Sequence, residues 1–136
     1  MQGWRINMED AMITNLALEK DSSLFAVFDG HGGKEASYVV KDNFETILKN
    51  LEAYSNQDFE KALYQSFMLT DEFLDGDEGK KQMKAVALQN PESKSPLMKL
   101  LTGVEDAPEK EERTEESFNL DSKGCTANVV LIKADE

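Results

Sequence analysis

The sequence predicts an α+β fold, and three observations point that way. The runs "LFAVF" at 24–28 and "CTANVVLIK" at 125–133 are apolar and rich in β-branched or aromatic residues, which fits strands. Between them, residues 34–51 and 58–74 carry apolar side chains at helical intervals. The helices bunch between the strand groups instead of alternating with single strands, which favours layered α+β packing over β-α-β winding. The chain has 136 residues, 40% of them apolar, enough for one small domain.

Residues 3–8 form a mixed run expected to be a short strand, and Ile13–Leu18 alternates like a half-buried one. Asp21, Ser22 and Ser23 supply turn chemistry. The continuous apolar character of 24–28 predicts a strand buried on both faces. It should end at Asp29-Gly30-His31-Gly32-Gly33, where glycines break the pattern. In the first helix Ala36, Val39, Val40, Phe44, Ile47, Leu48 and Leu51 share a face. Asp58 is positioned to cap the second, whose stripe is Phe59, Leu63, Phe67, Thr70 and Leu74, read as plain core. Residues 75–120 break the order. They hold a short helix near 80–89, a helix start at Ser95-Pro96 with a stop at Gly103, and a charge-rich loop at 105–117. Gly124 marks entry into the last strand.

Fifteen Lys and Arg against 27 Asp and Glu give a net charge of −12. That excludes nucleic acid and anionic membrane as main partners, since both need a basic footprint, and it suits divalent cations. The single cysteine, Cys125, forbids an internal disulfide and fits a reducing compartment. No apolar run approaches the roughly 18 residues of a membrane span, and the N-terminus lacks a signal-peptide core. A cytoplasmic or nuclear location is expected.

The chemistry gathers at two stretches. Asp29, leaving a buried strand on stiff backbone, suits a metal ligand, and Gly30 can bare its carbonyl to a hard cation. His31, the only histidine, is poorly placed for core packing and well placed for proton transfer. The competing reading is a strand-ending turn with an exposed histidine. Glu9 and Asp10 would point to opposite faces of a strand, so one could bind a cation through water while the other meets a different partner. Simple solvated charge is the alternative. Arg5 would share a face with Glu9, as a phosphate clamp or a structural ion pair. Cys125 is expected to be a small buried residue, since the single histidine leaves no Cys-His nucleophile to assemble.

"MQGWRINMEDAM", "FAVFDGHGG" and "GCTANVVLI" together resemble three motifs of the metal-dependent serine/threonine protein phosphatases, type 2C. The resemblance implies a four-layer α-β-β-α sandwich of antiparallel sheets, of which residues 1–136 would form the N-terminal part, with a charged irregular insertion at about 75–120. Asp29 would bridge two divalent cations, Mg2+ or Mn2+, with the Gly30 carbonyl on one and Glu9 and Asp10 holding metal-bound waters or touching the metals from outside. Arg5 would bind the substrate phosphate, and His31 would protonate the leaving serine or threonine oxygen. The substrate would be a phosphoprotein, attacked by a metal-bridging water or hydroxide. Met12 stands where the family usually has histidine. The family's Gly-Asp-Ser-Arg strand and its later metal-binding aspartates do not occur in this sequence. Asp29 is then the only side chain of the direct ligand set, so the chain is expected to need the remainder of the phosphatase domain and to act slowly or not at all alone. The alternative is a non-catalytic module that binds a phosphopeptide or a partner strand.

Overall fold

A computed structural model describes Trp4 and residues 7–19, 21–88, 120 and 122–134. Arg5, the Ser95–Gly103 helix and the charged 105–117 loop lie outside the described residues.

Three strands, β1 (Ala11–Glu19), β2 (Ser22–His31) and β3 (Gly124–Lys133), form an antiparallel sheet in the order β1-β2-β3. The turn between β1 and β2 uses Asp21 at φ 65°, a left-handed conformation that aspartate tolerates. The β1–β2 register shifts between Asn15 and Glu19. The described part of residues 3–8 is not a strand: Asn7 and Met8 precede the sheet, which starts at Ala11.

Two expectations for β2 are corrected. It is not buried on both faces. Leu24, Ala26, Phe28 and Gly30 are buried, while Val27, Asp29 and His31 on the opposite face are exposed. The run looked doubly buried because the open face is itself apolar. Met12 pairs with Val27 and Phe25 with Val130, and Met12, Val27, Val130 and Ile132 are all about half exposed or more. Nor does the strand end at Asp29. It runs through His31, because β3 supplies partners to the last residue: Asp29 faces Thr126, Gly30 faces Cys125 and His31 faces Gly124. Only Gly32 (φ 74°) and Gly33 (φ 132°) turn the chain away.

One face of the sheet is covered by α1 (Glu35–Lys49). Val40, Phe44 and Leu48 pack with Leu24, Ala26 and Phe28, and the inward residues of β3, Cys125, Ala127, Val129 and Leu131, close the core. The Phe28 and Phe44 rings sit 5.7 Å apart. Burying such a side chain stabilises the fold by about 1.5–3 kcal/mol, so this layer anchors the fold.

A four-residue helix, α2 (Glu52–Ser55), buries Ala53 and Tyr54; it is too short to show periodicity in sequence. In α3 (Phe59–Asp75), Asp58 caps as expected, accepting from the Lys61 amide at 3.2 Å. Its fully buried face is made of Ala62, Ser66 and Thr70, small residues that allow close approach to α1. Phe67 is partly exposed, its ring edge resting on Phe44. The front of the 75–120 stretch is ordered: α4 (Asp77–Leu88) starts earlier than the sequence indicated and places Met83 against Ala36 and Val39. The architecture is α+β, a sheet with helices on one face. Among the described residues no helix is long and apolar enough to cross a membrane.

Candidate functional site

The expected site residues gather at the end of β2 where the chain turns into α1. The alternation of the strand puts Asp29 and His31 on the open face, both exposed, and Gly30 between them on the buried side. Paired through its last residue, this strand end holds both side chains on backbone fixed by the ladder.

Glu9 and Asp10 are not on a strand, so the alternation of strand faces does not set where they point. They are half-buried in the irregular segment leading to Ala11. The pairing of Ala11 with Phe28 lays that segment beside Asp29 and Gly30. A Cβ at position 30 would lie 2.5 Å from the Glu9 carbonyl oxygen and 2.9 Å from Ser37 Oγ, so only glycine admits this approach. The Ser37 hydroxyl donates to the Glu9 carbonyl and also contacts the Lys34 carbonyl oxygen at 3.0 Å, tying the segment to α1. The two stretches singled out in the sequence thus meet at Gly30. Among the described residues no three His, Cys, Asp or Glu side chains converge into a ready cation cage. Arg5 lies outside the described residues.

His31 lies against Gly124, where a Cβ would come within 2.5 Å of its Nε2. The histidine also edges a cleft of about 370 Å³ shared with Leu74, Met83, Lys123 and Cys125. Cys125 is half-buried; burial, and then the charge of Asp29, push its thiol pKa up, as befits an inert core thiol.

Two residues at the site escaped the sequence reading. Lys123 Nζ donates to the Gly32 carbonyl at 2.7 Å and pairs with Glu35 Oε2 at 3.1 Å, with side chains only 13% and 11% exposed. Lys123 and Gly32 are 91 positions apart, so no local pattern could signal the contact. Glu35 had a weak signal, an acid in the first turn of a helix.

The donors fit a hard cation. They are oxygens: the exposed Asp29 carboxylate at the end of a paired strand, and the half-buried acids Glu9 and Asp10 on the segment laid beside that strand.

The family model "Protein phosphatase 2C" matches residues 1–88. "Probable protein phosphatase 2C 5" of Paramecium tetraurelia is 38% identical over 132 residues, covering 97% of this chain and 36% of that protein. "Probable protein phosphatase 2C 4" of the same organism is 46% identical over 83 residues, 61% of this chain and 28% of the relative. "Probable protein phosphatase 2C 11" of Oryza sativa is 41% identical over 87 residues, 63% of this chain and 24% of the relative. The chain spans about a third of the length of the Paramecium relative matched over 132 residues. With the family model covering well over half of its length and relatives aligned along nearly all of it, the chain belongs to the protein phosphatase 2C family.

Proposed function

We propose that the chain serves the metal-dependent hydrolysis of phosphoserine and phosphothreonine in proteins, in the cytoplasm or nucleus, with Asp29 as the anchor of two Mg2+ or Mn2+ ions. The supporting observation is the meeting of the two stretches at Gly30, with Asp29 and His31 held by the ladder on one face and Glu9 and Asp10 laid alongside. The bound cations would neutralise phosphate charge and activate a water. Asp29 would hold them, with the Gly30 carbonyl and the Glu9 and Asp10 carboxylates in support. Arg5 would take the phosphate as a bidentate fork. His31 would give its proton to the departing serine or threonine oxygen.

The open apolar face of the sheet, with Met12, Val27, Val130 and Ile132, is suited to pack against a second sheet of a four-layer sandwich. With one strand-held carboxylate, the chain by itself should bind cations weakly and turn over phosphoprotein slowly or not at all, because hard cations are held by summed ligand number and charge. The test is a chimera in which residues 1–136 replace the matching third of the Paramecium phosphatase. It should hydrolyse a phosphothreonine peptide with Mn2+, and Asp29→Ala should abolish that activity. Activity that survives Asp29→Ala would defeat the proposal.

A further inference from the structure

The turn out of the candidate site is held by more than its own glycines. Gly32 and Gly33 both lie in left-handed backbone, at φ 74° and 132°. A Cβ on Gly32 would strike the Ser122 carbonyl oxygen at 2.1 Å. One on Gly33 would strike Glu35 Oε2 at 2.1 Å and Lys123 Nζ at 2.8 Å. The glycine loop is therefore threaded between residues 122–123 and the first turn of α1. The Lys123 ammonium sits in that gap against the Gly32 carbonyl and the Glu35 carboxylate. Both side chains of the ion pair are largely shielded from water, where the attraction between opposite charges is stronger than at the surface. Helix α1 has no side-chain capping hydrogen bond at its N-cap residue, Lys34. The pair thus stands where a capping contact is missing. The next residue, Gly124, underlies the His31 ring.

We infer that Lys123 is a positioning residue for the candidate site. Its ammonium ties the entrance of β3 to the Gly32 carbonyl and to the start of α1, and so fixes the backbone that presents Asp29, Gly30 and His31. The functional half of this inference rests on the phosphatase reading above. Lys123 touches neither substrate nor cation in it; it acts through the loop. Methionine at 123 keeps most of the side-chain length and loses the charge and the donors, whereas arginine keeps both.

The test uses the 15N-labelled full chain with Lys123→Met, Lys123→Arg and Glu35→Gln, read by amide exchange and by Mn2+ line broadening. The reporting amide is that of Tyr38, bonded to the Lys34 carbonyl at the start of α1; the control is that of Ala62, bonded to the Asp58 carbonyl at the start of α3. Losing the shielded ion pair predicts exchange at Tyr38 about tenfold faster in Lys123→Met and Glu35→Gln. Ala62 should be unchanged, and Lys123→Arg should restore most of the protection. The Mn2+ concentration that half-broadens the signals of residues 29–31 should rise by a similar factor in Lys123→Met. Unchanged exchange at Tyr38, or equal acceleration at Tyr38 and Ala62, overturns the clamp. Faster exchange at Tyr38 with an unaltered Mn2+ response overturns the positioning role and leaves a purely structural pair. Should Mn2+ broaden nothing near Asp29 even in the unaltered chain, the metal reading of the site fails and the positioning role with it, while the exchange data still decide whether Lys123 holds the loop.

Discussion

The two faces of β2 are nearly equal in apolar character and opposite in use. On one, Leu24, Ala26 and Phe28 are sealed under Val40, Phe44 and Leu48. On the other, Phe25 and Val27 lead along an open surface to Asp29 and His31. One strand therefore carries the fold on one side and the candidate chemistry on the other. The separation means that site residues can be altered without emptying the core, and that core damage should reach the site only by unfolding it.

The first way to break that comparison is to strike the sealed face. Phe44 is fully buried and meets both Phe28 and Phe67. Phe44→Ala should cost about 3–5 kcal/mol in urea unfolding, since a large cavity opens in a core of modest size. A loss below about 1 kcal/mol would mean that the helical layer is not what holds the sheet. Gly30 sits where the faces meet. Gly30→Ala forces a Cβ against the Glu9 carbonyl and should cost about 1–3 kcal/mol as an overpacked site, with loss of the Ser37–Glu9 contact. Full stability in that variant would show that the 7–10 segment does not cross Gly30.

A pH experiment sharpens the same contrast at the far end of the core. Tyr54 is buried with α2, and burial followed by the charge of Glu19 raises its pKa above 10.0. The folded state then favours the neutral phenol, so its contribution is intact below pH 10 and is lost as pH rises through the higher folded value. Thermal stability should therefore fall more steeply above pH 10 in the unaltered chain than in Tyr54→Phe. Identical slopes would place the phenol in water. The smallest effect belongs to the open face. Ile132→Thr, at a position 51% exposed, should change stability by no more than about 0.5 kcal/mol. A change several times larger would show that this face is already covered in solution.

Much of this was legible in the sequence because its signals were local. Periodicity located α1 and α3, Asp58 marked a cap that is present, and the Asp29–His31 stretch stood out by residue type alone. What escaped depended on distant partners. The strand persists through His31 only because Gly124 pairs with it from the other end of the chain. The Lys123–Glu35 pair closes over the loop from equally far away. Strand 24–28 looked buried on both faces because periodicity reports apolarity, and apolarity does not say which face a helix covers. Glu9 and Asp10 lie just before the strand, which starts only after them, so strand alternation does not reach them.

The central claim is that Asp29 presents its carboxylate from the end of a paired strand as an anchor for hard cations. Mn2+ titration of the 15N-labelled chain tests it most directly. The account predicts that signals of residues 29–31 broaden first, and that Asp29→Asn removes this selectivity while Glu60→Gln, exposed in the first turn of α3, does not. Broadening that begins elsewhere, or that is the same in Asp29→Asn, would contradict it.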